Sequence, residues 1–301
     1  ALVMLTGITM CGSPAQADTD PADLQEKILE KSDSGNPMLG YDNDGNIIYG
    51  GDPSILVDGD TVYAYVGQDT SGGEYYEMPR WLCYSTTDLE DWTYEGVIME
   101  QTSITWRTDN VSAWASQVAK VGNDYYLFYC VEAGGKAIGV AHSTSPTGPF
   151  TDIGHPLVSN ADTPGGPHSW EDIDPTVWVE DGHVYVAWGN NRLFLMEVEC
   201  NGSSVTIKDQ DGDPDNLSVG YGTGHDIVIG KINGMEIWNE NDKFEDQEFF
   251  TEAPWIYKRE VNGEEVYYLF FASRWREQMA YATTDDLASY EWQYVGIIMV
   301  P

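Results

Sequence analysis

The sequence predicts an all-β chain wound as a β-propeller, on three observations. Helical periodicity is scarce along the 301 residues; a short candidate spans 21–31, where Leu24, Ile28 and Leu29 share a face. The rest reads as short aromatic and β-branched runs broken by Gly, Asp and Asn, which is strand and turn chemistry. One unit also recurs: an acidic or small turn opens an apolar strand, a polar turn follows, and an aromatic strand comes next. Four strands per repeat, at a period of some tens of residues, is the pattern of propeller blades. A β-sandwich would also give strands and turns but leaves the internal repeat unexplained.

The elements follow in chain order. Residues 1–10 are mostly apolar, and small residues continue to Ala15-Gln-Ala17. An A-x-A ending after a short apolar stretch reads as the back half of a secretory signal peptide, and about ten apolar residues are too few to span a bilayer. The expectation is therefore a signal remnant at 1–17 and a secreted protein. Cys11 raises the alternative of a lipid anchor, against which Met10 before it speaks. A lead-in follows at 18–45, then the propeller at 46–301.

The repeats open at Asp52-Pro-Ser-Ile, Ala115-Ser-Gln-Val, Asp174-Pro-Thr-Val and Ala253-Pro-Trp-Ile, at intervals of 63, 59 and 79 residues. The long last interval marks an insertion at about 200–250. Each hairpin is followed by a further strand pair, as in Leu82-Cys-Tyr-Ser-Thr-Thr-Asp with Trp92-Thr-Tyr-Glu-Gly, and Ile138-Gly-Val-Ala-His-Ser with Gly148-Pro-Phe-Thr.

Composition narrows the function. There are 14 Lys+Arg against 50 Asp+Glu, a formal net charge of −36. Such a field repels nucleic-acid phosphates and anionic membranes, so neither is an expected partner. A hydrophobic share of 42% excludes wholesale disorder. Cys83, Cys130 and Cys200 show no C-x-x-C spacing, and the first two sit inside apparent strands; small buried apolar residues are expected, not a zinc site. The five His are not spaced as a metal pair: His183 lies in an exposed turn, and His168 lies shortly before Asp174, where it is placed to approach a cleft.

The segment Asp209-Gln-Asp-Gly-Asp-Pro-Asp carries four carboxylates at alternate positions, like the start of a calcium loop. It lacks the Gly at loop position six and the Glu at twelve, so a solvated turn is the better reading, as for Asp42-Asn-Asp-Gly-Asn. No metal ligand is assigned. Gly-x-Ser-x-Gly and Gly-x-Gly-x-x-Gly signatures are also absent.

Three acids stand at the openings of three repeats: Asp52, Asp174 and Glu252. In a propeller the first strand of each blade lines the axis, so residues at one end of these strands converge although they lie 122 and 78 positions apart. Glycoside hydrolysis needs an acid to protonate the leaving oxygen and a base to activate water. Crowded like charges raise one pKa, which lets one member hold a proton near neutral pH. Any one of these acids could be a turn cap before Pro; three placed alike point to chemistry.

These stretches resemble glycoside hydrolase family 43, five-bladed propellers acting on arabinose- and xylose-containing polysaccharides. The resemblance rests on Gly51-Asp-Pro-Ser-Ile, Ala113-Trp-Ala-Ser-Gln, Ala137-Ile-Gly-Val-Ala, Ser145-Pro-Thr-Gly-Pro-Phe, Ile173-Asp-Pro-Thr-Val and Phe250-Thr-Glu-Ala-Pro-Trp-Ile-Tyr-Lys-Arg. It runs from about residue 36 to the end, closest to the arabinoxylan arabinofuranohydrolase and β-xylosidase branches. It implies Asp52 as general base, Asp174 as modulator of pKa and orientation, Glu252 as general acid, and inversion at the anomeric carbon. It also implies a five-bladed propeller, here apparently truncated after the fourth blade, because no Asn-His-Pro-like stretch follows; its His would sit near the pocket floor and often near a bound calcium.

Trp114 and Trp275 occupy positions where similar enzymes face substrate with an aromatic ring. Trp106, on a loop, is a further candidate. Arg274 could donate to sugar hydroxyls or pair with Glu277. The alternative for any of the Trp is core packing.

The expectation is a secreted, monomeric, inverting glycoside hydrolase. It would release arabinofuranose or xylose from arabinoxylan, xylan or arabinan, with no cofactor required and calcium possible. Alternatives are β-xylosidase or arabinanase action on the same scaffold, and a non-catalytic carbohydrate-binding propeller. Retaining fructan hydrolases share the architecture, but their Asn-Asp-Pro-Asn-Gly, Arg-Asp-Pro and Glu-Cys motifs are absent.

Overall fold

A computed structural model describes residues 39–73, 76–163, 170–235, 248–274 and 278–300. The signal remnant at 1–17, Cys11, the helix candidate at 21–31, His168, Trp275 and Glu277 lie outside the described residues.

Blade one is β1 (Gly50–Asp58), β2 (Thr61–Gln68), β3 (Arg80–Thr86) and β4 (Thr93–Glu100), and blade two is β5 (Ser116–Val121), β6 (Asp124–Glu132), β7 (Lys136–Ser143) and β8 (Thr151–Asp152). Both are antiparallel meanders in chain order. Blade three starts with β9 (Thr176–Glu180), β10 (His183–Trp188) and β11 (Phe194–Asn201), followed by β12 (Ser204–Ile207), β13 (Val219–Gly220) and β14 (Ile227–Ile229). Blade four comprises β15 (Lys231–Asn233), β16 (Phe250–Val261), β17 (Glu264–Ser273), β18 (Gln278–Thr284) and β19 (Glu291–Met299). No helix among the described residues is long and apolar enough to cross a membrane.

The hairpin turns follow from sequence. Asp181-Gly182 and Asn262-Gly263 both take positive φ at both positions, as the two-residue type I′ turn requires (51° and 85°; 56° and 87°). Gly59 and Gly122 supply the left-handed residue in the first two hairpins. The blades stack face to face, and alternation along one strand serves two interfaces. On β6, Tyr125, Leu127, Tyr129 and Val131 pack towards blade one with Tyr65, Trp81 and Cys83. Tyr126, Phe128 and Cys130 pack towards blade three with Val186, Trp188 and Phe194. A third core joins Leu195 and Val228 to Ile256, Leu269, Phe271 and Trp292. Each large side chain so buried stabilises by about 1.5–3 kcal/mol as an upper estimate. Room is made locally: a Cβ at Gly139 would meet the Tyr129 ring at 2.4 Å, its cross-strand partner.

The described residues form four blades, one for each of the four repeats counted in the sequence. One expectation is corrected: the segment around 200–250 is not a plain insertion. β12 and β14 both pair with β11 and complete blade three, while β15 pairs in parallel with β19 at the edge of blade four. The signal missed was the short β-branched run Ile227-Val-Ile229, hidden between Gly- and Asp-rich turns. The inner strands pack in the order β1, β5, β9, β16.

Candidate active site

The openings of β1, β9 and β16 share one backbone feature. The residue before each proline has a left-handed conformation: Asp52 (φ 51°), Asp174 (φ 58°) and Ala253 (φ 54°). A non-Gly residue rarely adopts this, and before proline it is strained further. Ladder register slips at the same places in β1 and β16, between Gly51 and Ser54 and on both sides of Glu252. Such bulges re-aim side chains out of the blade face. Glu252 sits one position ahead of the residue equivalent to the two Asp, and its longer side chain starts from that earlier position.

Two of the three acid-bearing openings are bonded directly. The Ala253 N–H donates to Asp174 Oδ2 at 3.2 Å, joining the openings of blades three and four. Asp52 and Asp174 both act electrostatically on the buried Cys130 thiol of β6, whose pKa desolvation drives far up. The Cys130 thiol thus lies within electrostatic range of the opening acids of blades one and three. Asp52 is exposed as a residue, yet the protein around its carboxyl raises the pKa, with the Asp69 charge adding to the effect. Asp69 is itself shifted upward by desolvation, and its carboxylate lies beside Gly51, where a Cβ would be 3.3 Å from Oδ2. A carboxylate shifted upward is a stronger base, which suits activation of water.

Asp174 and Glu252 are both half-buried. Glu252 Oε2 accepts from Asn190 Nδ2 at 2.6 Å. Behind them, Asp172 is fully buried, accepting from Trp188 Nε1 and Thr163 Oγ1, each at 2.8 Å. Burial raises its pKa to about 7. Glu171, also buried, is shifted upward by desolvation against the opposing charge of Arg192.

The expected sugar-binding residues fare differently. Trp114 stands just before β5, at the acid-bearing end, with its indole N–H on the Tyr76 carbonyl at 2.8 Å. Its ring is stacked on Trp170 at 5.4 Å, and the buried Lys136 ammonium lies 3.9 Å from its centroid. Trp106 is half-buried: its N–H bonds Asp152 on the outermost strand of blade two, and its ring stacks on buried Tyr129, a placement that packing accounts for. Arg274 stands at the end of β17, and its guanidinium bonds Glu248 at 2.5 Å; the expected partner Glu277 lies outside the described residues.

Sequence reasoning missed Asp69, Asp172, Asn190 and Trp170. An acid two positions before Asp174 and a Trp four before it were visible signals. Asn190, in Gly-Asn-Asn-Arg, carried none beyond that of a turn.

Outside this site, His183 is exposed, as expected, and bonds Glu197. Cys83 and Cys130 are buried free thiols. Asp42 closes its turn by accepting from the Asp44 and Asn46 backbones. Asp209, Asp211 and Asp226 bring carboxylate oxygens within 4.8 Å of one another, and each already accepts from a backbone N–H. The calcium that the family resemblance implies would adjoin the histidine of an Asn-His-Pro-like stretch, which residues 1–301 do not contain.

The family described as Glycosyl hydrolases family 43 matches residues 47–299. A β-D-galactofuranosidase of Aspergillus niger is 29% identical over 72% of this chain and 56% of its own length. A xylosidase/arabinosidase of Thermoclostridium stercorarium is 27% identical over 79% and 47%. The chain thus spans about half the length of the curated relatives it matches. Among solved structures, a family 43 β-xylosidase/α-arabinofuranosidase from a compost microbial metagenome superposes with a TM-score of 0.59 at 22% identity. That match covers 84% of this chain and 79% of the other, and shares the fold.

Proposed function

The chain belongs to glycosyl hydrolases family 43, and on that premise we propose that it is a secreted, inverting glycoside hydrolase releasing arabinofuranose or xylose from arabinoxylan or related plant-wall polysaccharides. The observation that carries the reading is the junction of two acid-bearing openings, where the backbone beside Glu252 donates to Asp174. The names of the relatives, which include xylosidase/arabinosidase and arabinoxylan arabinofuranohydrolase, support the substrate class.

In this mechanism Asp52 takes a proton from water as the water oxygen bonds the anomeric carbon. The glycosidic C–O bond breaks at the same time, and Glu252 gives its proton to the departing oxygen. Asp174 does not exchange protons; it orients the opening of β16 and adds negative charge beside the developing oxocarbenium ion. Inversion requires a water between base and acid, with carboxyl groups roughly 6.5–9.5 Å apart.

The test is proton NMR of an arabinoxylan digest, with Glu252→Gln as control and a galactofuranoside run in parallel. An early β-arabinofuranose signal, lost in the control, is expected. Free xylose would move the substrate to xylosides, and galactofuranose release would move it to galactofuranosides. Product that first appears with retained configuration, or full activity in Glu252→Gln, would overturn the mechanism.

A further inference from the structure

The turn joining β10 to β11 is bonded to two acid-bearing segments at once. The Gly189 and Asn190 N–H groups donate to Ile173 O and Glu171 O at 3.0 and 3.2 Å, on the approach to Asp174. The Asn191 N–H donates to Thr251 O at 2.7 Å, next to Glu252. The turn has little freedom. Gly189 has φ +143°, and a Cβ there would lie 1.8 Å from the Arg192 carbonyl oxygen; Asn191 is left-handed at φ 63°. Buried Asp172 fixes the preceding Trp188 through its indole N–H. A braced turn therefore presents Asn190, itself only 9% exposed, to Glu252 Oε2 at 2.6 Å.

A general acid works only if its proton faces the leaving oxygen. The carboxyl oxygen that accepts a short hydrogen bond serves as the carbonyl oxygen of the acid form, and the proton goes to the other. We propose that Asn190 is a positioning residue for the general acid, holding the Glu252 carboxyl by Oε2 so that Oε1 carries the proton delivered to the leaving group. This rests on the reading of Glu252 as the acid.

The experiment compares two substrates with the same glycosyl group: a natural glycosidic linkage, whose alcohol must be protonated to leave, and a 2,4-dinitrophenyl glycoside, whose phenolate leaves without a proton. Wild type, Asn190→Ala, Asn190→Asp and Glu252→Gln are measured on both, with circular dichroism melts as a folding control. Asn190→Ala is expected to lose about 10–100-fold in kcat on the natural linkage, the scale of a misplaced catalytic group, and less than about 3-fold on the dinitrophenyl glycoside. Asn190→Asp keeps the side-chain volume while replacing the donor by a carboxylate, so the same selectivity is expected there, and this variant carries the test if Asn190→Ala does not fold. Equal losses on both substrates, or none on either, would overturn the role of Asn190. If Glu252→Gln also falls equally on both substrates, the assignment of the acid fails, and this inference with it. A leaving-group-selective Glu252→Gln beside an unselective Asn190 pair rejects the inference alone.

Discussion

At the opening of blade two, β5 pairs with β6 without interruption from Ser116–Tyr129 to Val121–Asp124. Its side chains stitch blades together: Gln117 donates to Val177 O at 3.0 Å and accepts from Val177 N and Thr176 Oγ1, both at 2.9 Å. The equivalent openings of blades one, three and four are bent, each with a left-handed residue before a proline and an acid at or beside it. Such residues cost of order 1–3 kcal/mol each and persist only where surrounding structure holds them. Here the inter-blade cores hold them. The opening of blade two, with Ala115 where blades one and three carry Asp, thus serves cohesion through a regular ladder, whereas the other three openings break the backbone pattern beside an acid. Strain marks the acids more sharply than burial does, since Asp52 is exposed while structural Gln117 is buried.

The largest expected effect tests the chemical side. Glu252→Gln should lower kcat on polymeric substrate by about 10²–10⁴-fold, while Gln117→Ala, compared per folded molecule, should stay within about 3-fold of wild type if cohesion is its only work. Sugar release measured beside the folded fraction decides; a comparable collapse in both would dissolve the distinction.

The second effect concerns Asp172, which underlies a bent opening without joining the acids. Its folded pKa of about 7 lies above the usual carboxylate value, chiefly through desolvation. The folded state therefore binds this proton more tightly than the unfolded chain. Its contribution is fully present below about pH 4 and is lost as pH rises through about 7, amounting to roughly 4 kcal/mol at most. Denaturant midpoints at pH 4.5 and 8 should differ less in Asp172→Asn than in wild type; an unchanged difference would show that this carboxyl does not titrate as described.

Third, Gln117→Ala should destabilise by about 2–3 kcal/mol. It leaves the Val177 N–H and Thr176 hydroxyl without their acceptor in a buried seam. Equilibrium urea unfolding measures this, and a loss under about 0.5 kcal/mol would mean that the seam is held by its apolar contacts alone.

The smallest effect sharpens the backbone contrast. Exposed Ala253 has positive φ, which glycine adopts freely, so Ala253→Gly should be neutral or stabilising by up to ~1 kcal/mol. Ala115→Gly, at the regular opening, should cost about 0.5–1 kcal/mol. Thermal melts of the pair, shifting in opposite directions or by clearly unequal amounts, would uphold the difference; equal losses would refute it.

Much of this was legible along the chain. Strand alternation, Asp-Gly and Asn-Gly turns, four repeats and the acids at three openings depend on residues within a few positions of one another, where period and turn chemistry dictate local structure. The seam at Gln117 and the bond from Asn190 to Glu252, 62 residues apart, were not legible. Nor was the diversion of Trp106 to Asp152, 46 residues away, or the splitting of the segment around 200–250 between two blades. Those contacts are made between blades, and which polar side chain meets which depends on how the packed faces register. Sequence by itself determined the kind of blade, its number within this chain and which positions carry acids. Tertiary structure alone decided which neighbours hold those acids and raise the pKa of Asp52, because desolvation and hydrogen-bond geometry arise only once the blades pack on one another.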